Sequence, residues 1–214
     1  MTQPPSARTT VRRDDRATYD HQVIHDILDE AYTAHVGFVD DRTPVVIPML
    51  HARIEDTLYL HGGPASRIMR ILKRAPEVCV TITLLDGLVL ARSAVHHSAN
   101  YRSVVAFGRP TPVTGLAERR TVLDAYTDKL VPDRRPHLRE MTEKEVRGTV
   151  VLSMPLDEVS AKVRSGGPID EPEDMELDIW AGVIPLVVTA GAPIDDPLMR
   201  PGIPRPAHVD RIGR

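Results

Sequence analysis

The stretch Val78-Cys-Val-Thr-Ile-Thr-Leu-Leu85 constrains the fold more than any other part of the chain. Its β-branched residues are stiff at χ1 and fit a pleated strand better than a helix. Val78, Val80, Ile82 and Leu84 alternate with Cys79, Thr81, Thr83 and Leu85. Both faces are therefore semi-apolar, which suits a strand buried in a barrel. Similar segments recur at short spacing. His35–Val39 and Val45–Leu50 flank the polar turn Asp40–Thr43 and predict a hairpin. Pro48 lies inside the second of these strands and marks a bulge, an edge or a place where a ligand replaces pairing. A strand ending at His61 follows the turn Glu55-Asp56. Tyr101–Phe107, Thr149–Met154 and Leu156–Val163 read as further strands, whereas Leu88–Ser98 fits either a strand running into a loop or a short helix. Seven or so strands with few helices between them favour a closed or partly closed antiparallel barrel over a doubly wound sheet.

Helices punctuate this pattern. Asp20 can cap one from about His21 to Thr33, with Val23, Ile24, Ile27, Leu28 and Ala31 on one stripe. A second spans about Glu118 to Leu130 and stops before Pro132. Thr142 with Glu145 forms a capping-box pattern that opens a short helix reaching Arg147. His21 and His25 lie one helical turn apart and could share a metal. The sequence offers no third ligand nearby, so an exposed pair without metal is the expectation.

Composition bounds what remains. With 214 residues, 42% of them hydrophobic and 27% charged, the chain suits one domain. A net charge of −3 and the lack of a basic stripe argue against nucleic-acid binding. Cys79 is the single cysteine, which excludes an internal disulfide and a thiolate metal cluster; a buried, inert thiol is expected. No apolar run approaches membrane-spanning length and no secretory signal core is visible, so a cytoplasmic protein is expected. Residues 1–19 read as a flexible arm, 20–190 as the domain, and 191–214 as a proline-rich tail. Within the domain, 164–178 reads as a mobile acidic loop.

Leu58–Leu72 carries the clearest functional signal. A strand ends at His61, Gly62 and Gly63 allow a sharp turn, and a helix is predicted to open at Pro64. A helix start collects free N–H groups and partial positive charge. Ser66 and Arg67 would add a hydroxyl and a planar guanidinium, the donors a phosphate monoester needs. The alternative is a plain strand–turn–helix connection whose Ser66 and Arg67 face water.

Four pieces in order resemble the pyridoxamine 5′-phosphate oxidase-related flavoproteins, the FMN-binding split-barrel superfamily, and most of all its nitroimidazole reductase-like branch. They are Leu58-Tyr-Leu-His-Gly62 with Ser66-Arg67, Val80–Ser93, His97–Val105 with Gly108, and Trp180–Pro185. The resemblance covers about Asp20 to Leu186. It implies a mainly β protein with flanking helices: a six-stranded antiparallel Greek-key split barrel that forms a homodimer with FMN between the subunits. By that resemblance Pro48, Met49 and Leu50 border the isoalloxazine, Ser66 and Arg67 grip the phosphate, and Tyr101, Arg102 and Ser103 complete the site. Two departures argue against vitamin B6 oxidation. Ile68 stands where the true oxidases carry a second cation, and the tail shows no matching arginine–histidine segment.

Further candidates surround this set. Arg92 and Ser93 could meet the ribityl or phosphate end of the flavin, or simply cap a turn. His61 could bond the flavin or substrate, or be structural. His96 or His97 could donate a proton, since an imidazole near neutral pKa suits general acid work. Trp180 could stack on the flavin or serve packing. The function so implied is an FMN-dependent oxidoreductase that reduces a small electrophile with NADH or NADPH as donor. The alternatives are a flavin carrier or sensor without turnover, and a deazaflavin or haem protein on the same fold.

Overall fold

The computed structural model describes residues 4–212, so the ends of the predicted arm and tail, residues 1–3 and 213–214, lie outside the described residues. In chain order the elements are β1 (Ala17–Thr18), α1 (His21–Glu30), β2 (Thr33–Asp40), β3 (Thr43–Ile54), β4 (Thr57–Gly62), α2 (Arg67–Leu72), β5 (Val78–Leu90), β6 (Ser98–Gly108), β7 (Thr111–Pro112), α3 (Leu116–Leu130), α4 (Glu143–Arg147), β8 (Val150–Pro155), β9 (Glu158–Arg164) and β10 (Gly182–Pro185). The strands form one antiparallel network in the order β1-β9-β6-β5-β2-β3-β4-β8-β7, with β10 on β5. Ten strands take part where six were expected; β1 and β7 are two-residue additions at the two edges, and the four-residue β10 pairs with the end of β5.

β3 turns the sheet back on itself. Its residues Thr43–Leu50 pair with β2, whereas His51–Ile54 pair with β4. The two halves so joined enclose one core. Val36 and Phe38 of β2, Leu58 and Leu60 of β4, Val80 and Ile82 of β5, Val104 and Ala106 of β6, and Leu152 and Met154 of β8 all point into it. Ile24, Ile27 and Leu28 of α1 and Met69 and Leu72 of α2 fill the rest. A second, smaller cluster sets Val122 and Tyr126 of α3 against Ala52, Tyr59 and Val151 on the far side of β4 and β8.

Several boundaries depart from the sequence expectation, each for a local reason. Asp20 caps α1 as expected, accepting from the backbone N–H of Gln22 at 2.8 Å. The helix stops at Glu30, short of Thr33, because Ala31 is already extended and Thr33 pairs with Leu50. α2 opens at Arg67 and not at Pro64. Ser66 donates its backbone N–H to Gly63 O at 3.0 Å, so Pro64 and Ala65 are consumed by a turn. Residues 88–90 continue β5, and the helical character in that stretch is one 3-10 turn at Ala94–His96. The capping box at Thr142 and Glu145 forms as predicted. The described part of the N-terminal arm lies along its own chain, with Ala17 and Thr18 paired to β9.

One buried polar junction ties three elements together. Lys129 of α3 donates to Leu28 O, a last-turn carbonyl of α1, at 2.7 Å and stands 2.8 Å from His51 Nε2 of β3. The C-terminal end of α1 leaves such carbonyls without helical partners, and a lysine there meets both the acceptor and the dipole. Burial, and then the nearby Lys129 charge, push the His51 imidazole down to about 4. Burial brings the Lys129 ammonium down to about 8. Both groups thus bind a proton less readily when folded. The signs follow: His51 removes stability as pH falls from about 6.5 to 4, and Lys129 returns stability as pH rises from about 8 to 10.5. His51→Gln, whose amide can serve both neighbours, is expected to lose the acid limb. Urea denaturation against pH checks this, with the wild type falling relative to the variant by roughly 3 kcal/mol at pH 4.

Candidate functional site

Directly paired residues in an antiparallel sheet project to the same face. Register therefore decides which candidates share a surface. Pro48 pairs with His35, His35 with Thr81, and Thr81 with Val105. The next row pairs Thr83 with Ser103 and Ser103 with Lys162, and a third pairs Leu85 with Tyr101. These side chains lie on the face opposite the core. Among the candidates, Pro48, Leu50, Tyr101 and Ser103 are brought onto this outer face of β3, β2, β5 and β6. Alternation sends Met49 and Arg102 to the other side.

The outer face is half apolar and half hydroxyl. Val46, 62% exposed, and Leu50, 40% exposed, flank Pro48 along β3. Thr81, Thr83 and Ser103 supply hydroxyls in adjacent rows, and the Lys162 ammonium lies 5.6 Å from the centre of the Tyr101 ring. Leu85, Leu88, Ile184 and Trp180 extend the apolar surface toward β10 and are all exposed. Leu88 and Ile184 are direct partners in the ladder. His35, Thr81 and Thr83 were not singled out from the sequence. Alternation placed the two threonines on one face of β5, but only pairing shows that this face adjoins Pro48.

The other candidates occupy separate places. Arg67 is paired with Asp40 at 2.5 Å, and its side chain is 75% exposed. Ser66 precedes it with its hydroxyl making no cap bond. α2 has only six residues, so little helix dipole stands behind this step. Gly62 lets the end of β4 approach that helix, since a Cβ there would sit 2.8 Å from Met69 Cγ. Arg102 is held by Glu30 of α1 and by Asp86, the latter at 2.8 Å. His97 donates from Nδ1 to Ser93 O, 3.0 Å away, and stays exposed. His61 faces α3, edge-on to Tyr126 with ring centres 4.1 Å apart. Its Nδ1 is buried without a partner, and burial lowers its pKa, so the ring is neutral at pH 7. Trp180 is 67% exposed and lies against Gly182. A groove of about 820 Å³ between α3 and residues 132–141 is lined by none of the candidates.

The acidic segment 164–178 is anchored, contrary to the expectation of a mobile loop. Asp170 has a side chain only 1% exposed and accepts from the Arg92 backbone and guanidinium, both at 2.9 Å. Arg164 is buried and donates to Asn100 and to Gly167 O. Arg92 therefore works as a clamp on this segment.

A sheet that turns its corner inside one long strand, packed by short helices and presenting a mixed apolar and hydroxyl face, is an antiparallel split barrel. The chain belongs to the pyridoxamine 5′-phosphate oxidase family, whose model matches residues 20–163. Among solved structures it is similar to the flavocytochrome Anf3 from Azotobacter vinelandii, at 38% identity over 97% of each chain with a TM-score of 0.91. It is also similar to the FAD and haem binding protein from Mycobacterium smegmatis, at 35% identity over 92% of this chain and 97% of that one, with a TM-score of 0.87. A structure from Bacteroides thetaiotaomicron named for 5-nitroimidazole antibiotic resistance matches at 29% identity over 69% of this chain and 86% of that one, with a TM-score of 0.59. Among curated proteins no match is found. No helix among the described residues is long and apolar enough to cross a membrane.

The clamp yields a direct test. Asp170→Asn leaves the Arg92 charge without its partner, so 165–178 is expected to loosen while the barrel stays folded. Limited proteolysis should then cut within this segment several-fold faster than in the wild type, with the circular dichroism of the sheet unchanged.

Proposed function

We propose that this chain is a redox protein that binds a flavin on the outer face of β3, β2, β5 and β6 and also takes a haem. The observation that carries the reading is the pair of relatives at 38% and 35% identity, matched over almost the whole chain, whose names specify a flavocytochrome and an FAD and haem binding protein. FAD is accordingly favoured over the FMN expected from the sequence.

The residues present fit both groups. For the flavin, Pro48 and Leu50 offer a flat apolar border, and Thr81, Thr83 and Ser103 offer hydroxyl donors in neighbouring rows. Ser66 and Arg67 remain the donors for a phosphate, with Asp40 as the competitor that an anion would displace. For the haem, a neutral imidazole with an unused nitrogen is a suitable iron ligand. His61 meets this description, and His208, buried with Nε2 unpartnered beside His137, is the second candidate. His51 also has an unpartnered Nδ1, but at 1% exposed and held by Lys129 it is closed off inside the junction of α1, α3 and β3. Bound flavin supplies hydride and electron transfer, and bound haem supplies one-electron transfer. The part of this chain's residues is to seat, orient and shield them. NADH or NADPH is the donor to supply first, and a small electrophile the acceptor.

A homodimer belongs to the same reading. Val46, Leu50, Leu85, Leu88, Ile184 and Trp180 are exposed apolar side chains, and apolar side chains gathered on one face suit a protein–protein contact. A second copy over this face would shield the flavin.

Two measurements check the reading. Purified protein is expected to show flavin bands and a Soret band, and mass spectrometry of the released ligands should find FAD and haem. A colourless protein that takes up neither would end the proposal. His61→Ala is expected to lose the Soret band and keep the flavin bands. Arg67→Ala is expected to weaken flavin binding about 10- to 150-fold, the loss of one charge-assisted bond of roughly 1.5–3 kcal/mol. Unchanged affinity would remove Arg67 from the site.

A further inference from the structure

At the end of the molecule formed by α1 and the β3–β4 turn, the third ligand missing from the sequence reading is present. His21 and His25 project from one side of α1. Asp56 comes to them from the turn between β3 and β4, where Glu55 takes a positive φ of 50° and swings the chain around. His21 Nδ1 lies 2.8 Å and His25 Nε2 lies 2.9 Å from the same oxygen, Asp56 Oδ1. All three ligand atoms fall within 4.8 Å of one another.

We propose that His21, His25 and Asp56 form a binding site for a zinc-like divalent transition ion that staples α1 to the β3–β4 hairpin. Two imidazoles and one carboxylate select a late first-row ion over magnesium or calcium, which favour all-oxygen shells. Zinc holds such atoms at about 2.0–2.2 Å, so tetrahedral ligand atoms stand roughly 3.3–3.5 Å apart. The two nitrogens are slightly closer than that to Oδ1, and small side-chain rotations open the gap. Binding needs His21 Nδ1 and His25 Nε2 unprotonated, so the ion would replace the hydrogen bonds to Asp56 and the ring protons would move to His21 Nε2 and His25 Nδ1.

The surroundings favour a cation. α1 bears Asp26, Asp29 and Glu30 and no lysine or arginine, and Asp20 caps its start. Arg53, the nearby cation on β3, is engaged by Asp29 at 3.0 Å and by Glu55 O at 2.7 Å. Asp56 is backed by its own main chain, whose carbonyl accepts from Leu156 N at 2.9 Å. Three protein ligands leave the remaining positions to water. The site is separate from the outer face proposed for the flavin, so its failure would leave that reading untouched.

The experiment is calorimetric titration of untagged, cofactor-loaded protein with zinc(II), with cobalt(II) absorption as the geometric probe. One equivalent of zinc is expected, together with cobalt ligand-field bands of a four- or five-coordinate nitrogen and oxygen site and a raised Tm. His25→Gln and Asp56→Asn keep polar contacts across the junction but remove ligands, and each is expected to weaken binding by about tenfold or more. The double variant His21→Gln/His25→Gln should lose the zinc-dependent Tm shift while melting near the metal-free wild type. Absence of saturable zinc binding in the wild type, or equal affinity in the double variant, would overturn the site.

Discussion

The structure depends on a strict division of β5 and its neighbours into an inward and an outward set. Val80 and Ile82 must meet Val36, Val104 and Ala106 inside, because a slip of one residue would turn every one of them to the other face. That requirement leaves Thr81 and Thr83 outside, beside His35, Ser103 and Pro48. The surface proposed for a cofactor is thus a direct consequence of filling the core. A strand pattern with two semi-apolar faces makes sense on these terms, since one face packs and the other is available to a ligand or a second subunit.

Charged groups at the margins hold the sheet's attachments in place. Arg102 joins β6 to Glu30 at the end of α1 and to Asp86 of β5, Arg92 holds the acidic segment through Asp170, and Lys129 closes the end of α1. Each links elements distant in sequence, and each engages a cation that the local sequence leaves open for a ligand. These pairings matter to function by elimination. They direct attention to a face poor in charge, where Lys162 beside Tyr101 is the nearby cation.

Much of the fold was legible because its signals are local. The cap at Asp20, the capping box at Thr142 and Glu145, and the alternation along Val78–Leu85 act over a few residues and survive in the structure. The boundaries that moved did so under longer-range demands. Pairing of Thr33 with Leu50 cut α1 short, and the Gly63–Ser66 turn delayed α2. The candidate site was legible only in pieces. Pro48, Leu50, Tyr101 and Ser103 meet on one face, whereas Met49 and Arg102 lie elsewhere because neighbours in a strand point in opposite directions, and His61 sits on β4 against α3.

By itself the sequence determined the family, the β-rich class and the inside–outside pattern of each strand, since residue order alone specifies alternation, caps and turns. Only the tertiary structure decided which outward rows adjoin, which arginines are already paired, and that Asp56 completes a cluster with His21 and His25 from 31 positions away. The reason is physical: register and corner formation bring together residues whose separation along the chain carries no trace of their meeting.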